Sequence, residues 1–435
     1  MPNPPAIAFV TLGCPKNEVD SDRMRALVAA AGFGLTDDLA EADAVVVNTC
    51  SFIQEATEES IATILDVASE WLPHGESRRL VVAGCMPSRY GDELTTELDE
   101  VSAFVPVGRE AEIATILGGL LGWEPHHRGS ATSAAMRNAA GPSAYLQIAD
   151  GCHRSCAYCI IPAIRGPYRS RPIDDIVAEA RELVAGGAKE IILIGQDTTH
   201  YGSDLESGTL PDVVRAVAAV EGVMWLRVMY AQPDGISDEL LATMATLPNV
   251  VRYLDLPLQH ASKTVLRRMR RRGSAEDHLA LLERIRSSMP DAALRTTMIL
   301  GFPGETKADV NELHRFLEAA RFDYVGVFAY SAEEGTAAAQ MPDQVPRRTR
   351  LARAQRTRDL ADRLGFAKVA DRVGQTLEVL VEGVDEDESV PVGRWRGQAP
   401  EIDGLVFLDR GDAGEIVSAR VVEALGYDME AKVRP

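Results

Sequence analysis

Apolar residues in the first quarter of the chain fall into short β-branched runs at Ile7–Leu12, Ala44–Thr49 and Leu80–Ala83. Between them lie stretches with helical character, such as Asp20–Ala31 and Thr57–Trp71. Runs of this length, alternating with helices long enough to cross over, predict parallel strands in a small open α/β domain. From Ser143 the alternation resumes, with apolar runs at Ala144–Ala149, Ile191–Ile194, Met224–Met229, Tyr253–Leu256, Leu294–Leu300 and Tyr324–Ala329. Six successive βα units predict a partial barrel of the TIM type, (β/α)6, with its site at the carboxyl ends of the strands. Beyond Asp371 the pattern becomes strict alternation, as in QTLEVLVEGV and DGLVFLD, which predicts a small all-β barrel of five strands.

A chain of 435 residues exceeds one ordinary core, and the pattern divides it at 5–123, 142–370 and 371–435. The stretch 124–141, EPHHRGSATSAAMRNAAG, has little apolar periodicity and reads as a linker, with His126 and His127 expected in solvent. The fold class is therefore α/β with a C-terminal all-β module. The string PRRTRLARAQRTRDLADRL from Pro346 reads as a long amphipathic helix leaving the barrel.

No run of eighteen apolar residues occurs, and MPNPPAIAFV lacks a basic region followed by a long apolar stretch. Neither a membrane span nor a secretory signal is expected, and the cytoplasm is the expected compartment. The balance of 65 acidic to 45 basic residues gives a net charge of -20. That weighs against a nucleic-acid substrate held through its phosphates and suits a positively charged protein partner. From Arg372 to Pro435 the acidic excess persists, 14 side chains against 7. RRMRRR at Arg267–Arg272 and the basic helix after Pro346 run against this trend, and both read as solvated faces.

Six cysteines carry the chemistry. Cys152, Cys156 and Cys159, in DGCHRSCAYCIIP, can hold three irons of a four-iron cluster. Such a cluster ordinarily takes four cysteines, so one iron stays open for a ligand. Cys14, Cys50 and Cys85 each sit just past an apolar run, so the parallel sheet would bring them to one ligand-binding edge. Packed thiols remain the alternative for each of these alone. Past the barrel strands come Gly195, Gln196 and Asp197, then Gln259 and His260, then Gly301 to Glu305 in GFPGE. Glycines admit close backbone approach, and Asp197 can receive an ammonium or a ribose hydroxyl.

The CxxxCxxC spacing, with Tyr158 before the last cysteine, resembles the signature of the radical S-adenosylmethionine (SAM) enzymes. Together with the second cysteine triad and the β module, it resembles the methylthiotransferases, whose C-terminal module is called TRAM. LGCPKNEVDS, DLPLQHAS and QAPEIDG are similar to the branch that modifies a ribosomal protein, whereas tRNA-modifying relatives tend to carry GCQMN at the first cysteine. Asp22 and the string MYAQP at Met229–Pro233 depart from the usual pattern. The resemblance implies two 4Fe-4S clusters, one on Cys152, Cys156 and Cys159 and an auxiliary one on Cys14, Cys50 and Cys85. It implies S-adenosylmethionine held by Tyr158, Gly195, Gln196, Asp197, Arg295 and Glu305, with His260 facing the substrate. The implied reaction adds a methylthio group to the β-carbon of an aspartate in ribosomal protein S-twelve, with flavodoxin or ferredoxin as electron donor. A tRNA adenosine methylthiotransferase and a noncatalytic iron–sulfur protein of the ribosome are the alternatives.

Overall fold

The computed structural model describes residues 3–75, 77–124, 137, 141–385 and 389–434. Most of the expected linker, including His126 and His127, lies outside the described residues.

The N-terminal sheet has five parallel strands in the order Gly34–Leu35, Ala6–Thr11, Ala44–Thr49, Arg79–Gly84, Ala103–Pro106. The three inner strands are those the pattern predicts. The outer two escape it, one having only two residues and the other ending on a proline. Side chains alternate across the sheet. Val45 and Val47 join Ile64 and Trp71 on one face, while Ala44 and Val46 join Met24 and Val28 on the other. The helix Pro15–Ala30 starts at Cys14, with a proline at its first position, where the missing N–H has no intrahelical partner to lose.

The barrel is built of two three-stranded parallel ladders. One orders Trp225–Val228, Glu190–Ile194 and Ser143–Gln147; the other orders Tyr253–Gln259, Ala293–Leu300 and Tyr324–Ala329. A parallel bridge from Leu226 to Val250 joins them, giving six strands in chain order. Among the described residues the first and last strands do not pair, so the barrel is open along one side. Helix Pro15–Ala30 lies against the first barrel strand, where Arg23 donates to Gln147 at 2.5 Å and Val19 packs with Tyr145. Arg137 reinforces this contact, donating to Asp22 at 2.9 Å and to Glu179 at 2.7 Å.

The closed C-terminal barrel runs Thr376–Val384, Pro391–Trp395, Val406–Leu408, Asp428–Val433, Ile416–Leu425. It docks on the amino ends of the six strands. Glu190 accepts from Arg227 at 2.7 Å and from Arg394 at 2.6 Å, and the Tyr253 hydroxyl donates to Asp403 at 2.5 Å. The carboxyl ends are thereby left to the cysteine loops. No helix among the described residues is long and apolar enough to cross a membrane.

Candidate active site

The cysteine loop follows the first barrel strand. Gly151 opens it at φ +73, and a Cβ there would run into the carbonyl of Pro167, so only glycine fits. The Cys152 N–H donates to Gly166 O at 3.2 Å, the Ala157 N–H to Met269 O at 3.0 Å, and Ala157 O accepts from Ala338 at 2.7 Å. Ala157 is buried with Val265, Met269 and Phe302, and Tyr158 packs beside them. This fixed backbone leaves the three cysteines partly buried, neither sealed in the core nor free in solvent.

Cations and N–H groups face these sulfurs. Cys152 Sγ accepts from the Arg154 N–H at 3.4 Å, and Arg271 Nη1 approaches Cys156 Sγ at 3.8 Å. Burial pushes the Cys159 thiol up to about 12 and raises Cys152 as well. Thiolates in such a place need a metal to stabilise them. A cluster spreads its thiolates over several irons, so the donor set of this loop fits a cluster better than mononuclear zinc.

A cavity of about 400 Å³ opens beside the loop, lined by Cys152, Cys156, Arg154, Asp197, Asp234 and Arg271 among others. Arg154 holds Asp197 at 2.5 Å and Asp234 at 2.7 Å across it. Gln196 donates to Asp150 at 2.9 Å, while its Oε1 is buried without a donor. That orphaned acceptor suits an ammonium-bearing ligand. Gly195 lies so close to the first strand that a Cβ would stand 3.3 Å from Ala149 O.

Arg295, Glu305 and His260 are placed elsewhere. Arg295 pairs inside the barrel with Asp255 at 3.0 Å and Asp403 at 3.2 Å. Glu305 caps the Gly301 N–H at 2.7 Å and pairs with Arg353 at 2.8 Å. His260 is fully buried, its Nδ1 accepting from the Ser262 N–H at 2.9 Å and its Nε2 3.6 Å from Glu305. Of the sequence-predicted cofactor residues only Asp197 lines the cavity beside the cysteine loop; Tyr158, Gly195 and Gln196 stand next to it, and Arg295, Glu305 and His260 do not line it.

Cys14, Cys50 and Cys85 stand at one edge of the N-terminal sheet. Gly13 (φ +98) lies so close to Cys50 that a Cβ would sit 2.5 Å from the Cys50 Cβ. Burial raises the Cys50 thiol and pushes Cys85 up to about 12. This edge faces the segment just past the cysteine loop. Ile160 and Ile164 bury Cys85, and Arg165 Nη2 lies 4.0 Å from its sulfur while donating to Asn17 and Asp20 at 2.9 Å each. The two triads thus meet across one short helix, Ile161–Arg165.

Sequence reasoning missed Arg154, Arg165, Arg271 and Lys16. Arg271 lay inside a run read as solvated, yet it donates to Pro257 O at 2.7 Å and Gln232 at 2.8 Å. The basic exit helix, Arg347–Ala370, likewise turns cations inward, Arg350 to Tyr330 O and Arg358 to Val327 O. Isolated cations carry no periodic signal; only nearness to a cysteine marked Lys16 and Arg154, two residues away, and Arg165, six residues away.

Comparison with known proteins agrees with this geometry. Residues 146–317 match the radical SAM superfamily, 6–106 match the uncharacterized protein family UPF0004, and 373–433 match the TRAM domain. The fold is similar to the cobalamin- and cluster-bound radical S-adenosylmethionine methyltransferase TsrM from Kitasatospora setae (TM-score 0.55, 14% identity, 75% of each chain). It is also similar to the cobalamin-dependent radical enzyme OxsB (TM-score 0.52, 11% identity, 83% of this chain and 56% of that one). Barrel, cysteine loop and superfamily match define a radical S-adenosylmethionine enzyme, and the relatives that share its whole length place it in the transferase class. Over 98% of both chains it is 44% identical to the ribosomal protein uS12 methylthiotransferases RimO of Trichlorobacter lovleyi and Pelobacter propionicus. That of Lachnoclostridium phytofermentans is 40% identical over 97% of this chain and 98% of its own. The chain belongs to the RimO family.

Proposed function

We propose that this chain adds a methylthio group to the β-carbon of an aspartate in the small-subunit ribosomal protein uS12. The observation that carries the reading is the meeting of the two cysteine triads across Ile160, Ile164 and Arg165. Replacing hydrogen by sulfur on an unactivated carbon needs a radical source and a sulfur carrier within reach of one substrate position. Cys152, Cys156 and Cys159 would hold a cluster that, with S-adenosylmethionine, would supply the radical; Cys14, Cys50 and Cys85 would hold an auxiliary cluster that would supply the sulfur, and a second S-adenosylmethionine would supply the methyl group.

The chain's own groups do the placing. Gln196 Oε1 and Asp197 offer acceptors to the cofactor's amino and ribose groups, with Gly195 admitting close approach and Tyr158 packing beneath the loop. Arg154 holds Asp197 and Asp234 in line. The units 5–123, 142–370 and 371–435 divide the work into sulfur delivery, radical formation and a sealed barrel floor. Arg270, Arg272 and His153 at the cavity mouth suit an acidic one-electron donor such as flavodoxin or ferredoxin. The cytoplasm is the compartment of such a donor and of the ribosome.

The test is anaerobic. Protein with reconstituted clusters, S-adenosylmethionine, sulfide and a reductant is offered uS12 and unmodified tRNA together, and both are read by mass spectrometry. A methylthio increment on a uS12 aspartate is expected; an increment on tRNA alone would overturn the assignment.

A further inference from the structure

Lys16 is the second residue of the helix Pro15–Ala30, two positions after Cys14, and its side chain is buried with 7% exposure. Its ammonium sits 3.0 Å above the centroid of the Tyr230 ring. Among the described residues it makes no hydrogen bond or ion pair, because the neighbouring carboxylates are engaged by other cations. Asp255 is held by Arg295 at 3.0 Å, Asp150 by Arg165 at 3.2 Å, and Asp20 by Arg165 at 2.9 Å. Its charge is felt most by the Cys14 sulfur and is opposed by Arg165, but with the Tyr230 face as its one direct contact and no carboxylate paired to it, this buried cation is left in want of a hydrogen-bonding anion.

Tyr230 is itself unusual. It stands just past the third barrel strand, at the carboxyl edge, with φ +58, a left-handed conformation that a bulky residue rarely adopts. The surrounding structure holds it there, with Met229 donating to Leu193 O at 3.1 Å and Tyr230 O accepting from the Thr198 N–H at 3.3 Å. The strained backbone aims the ring toward the N-terminal domain, beneath Lys16. Lys16 and Tyr230 therefore come from different domains and meet where the auxiliary triad adjoins the barrel mouth.

We propose that Lys16, seated on Tyr230, is the carboxylate-reading subsite of the enzyme and binds the side-chain carboxylate of the substrate aspartate. This rests on the uS12 reading above. The reacting β-carbon is one bond from that carboxylate, so an ammonium fixed on the oxygens fixes the carbon beside Cys14 as well. The aromatic face keeps the ammonium extended in the absence of substrate, which leaves little side-chain ordering for binding to supply. A neutral or purine substrate offers no anion at this position, and the same buried charge would then oppose it.

The experiment uses the full chain with reconstituted clusters, and recombinant uS12 carrying either its modifiable aspartate or asparagine there. The wild type is expected to prefer the aspartate form by roughly a hundredfold in kcat/KM, the scale of a buried charge pair lost. K16M should keep wild-type iron and sulfide content and lose most of that preference, with the aspartate form falling at least about tenfold and the asparagine form little changed. K16R should restore part of the ratio, since the charge returns in a different shape. The proposal is overturned if the aspartate-to-asparagine ratio of K16M equals that of the wild type. It is overturned equally if K16M loses auxiliary iron, which would make Lys16 a counter-ion of the cluster. A wild type that modifies tRNA and neither form of uS12 would instead remove the reading on which the proposal stands.

Discussion

Arg165 Nη2 lies 2.9 Å from Asp20 Oδ2, which joins the helix after the barrel's cysteine loop to the first helix of the N-terminal domain by a buried ion pair. The same nitrogen reaches Asn17 Oδ1 at 2.9 Å, and the other terminal nitrogen reaches Asp150 at 3.2 Å. Asn17 in turn donates to Leu12 O and Thr49 O at 2.9 Å each, so one guanidinium fixes the strand ends that carry Cys14 and Cys50. The register between the two triads is thus set by charge as well as by apolar packing.

Removing Arg165 leaves the buried Asp20, and the partly exposed Asp150, without this cation. R165M should cost about 3–5 kcal/mol, the usual penalty for breaking a buried pair from one side. R165K should recover part of it, because a point charge cannot span both carboxylates. Urea unfolding of the apoprotein measures both; a loss under about 1 kcal/mol would show the contact to be incidental.

At the barrel floor, Glu190 accepts from Arg227 and Arg394, and all three side chains are fully buried. R394M leaves Glu190 with Arg227 as its one cation, beside the Ser143 hydroxyl, and takes the cation from Glu382, 2.7 Å from Arg394. The expected cost is about 3 kcal/mol, and it should appear as loosening of the β module. Limited trypsin digestion should release a fragment beginning near Arg372 faster than in the wild type. Equal cleavage rates would mean that the apolar contact of Trp225, Tyr253 and Tyr324 with Val379 and Trp395 holds the module by itself.

Substitutions of the cysteines should separate the two triads. C156A should abolish deoxyadenosine formation from S-adenosylmethionine, whereas C85A should lose about half of the bound iron and all methylthio product while deoxyadenosine is still made. Iron analysis and chromatography read both. Deoxyadenosine from C156A, or full iron in C85A, would break the assignment.

The three inner strands of the N-terminal sheet and the six barrel strands were legible because runs such as Ala44–Thr49 and Leu294–Leu300 are bounded by turn residues, and period decides between strand and helix. The cysteine loop was legible from spacing alone. Two features were not. Arg271 and Arg350 sit in basic runs whose sequence is that of a solvated face, and only tertiary packing turns them inward. The acidic excess after Arg372 did not tell where this module docks, which is on the amino ends of the strands through Arg394 and Glu190. Net charge reports attraction, not which end of a barrel carries it.

His278 gives stability a pH dependence of known sign. It lies on the helix Ala275–Ser288 with 4% exposure, its ring edge-on to Phe316 at 5.9 Å. Burial, and next the Arg271 guanidinium, lower its pKa to about 4, with Asp277 and the His260 carbonyl opposing. The unfolded chain takes up this proton near 6.5 and the folded chain only near 4, so between those values the unfolded state binds more protons. The contribution is therefore whole above about pH 6.5 and drains away as pH falls toward 4, by about 3 kcal/mol in all. Glu18 acts with the opposite sign, since burial raises its pKa to about 7 and the folded state then holds the extra proton. The wild-type curve mixes the two, so the difference from H278Q isolates the histidine. Unfolding free energies measured from pH 7.5 down to 5 should fall more steeply in the wild type than in H278Q, and parallel curves would show that His278 takes up its proton alike in the folded and unfolded chains.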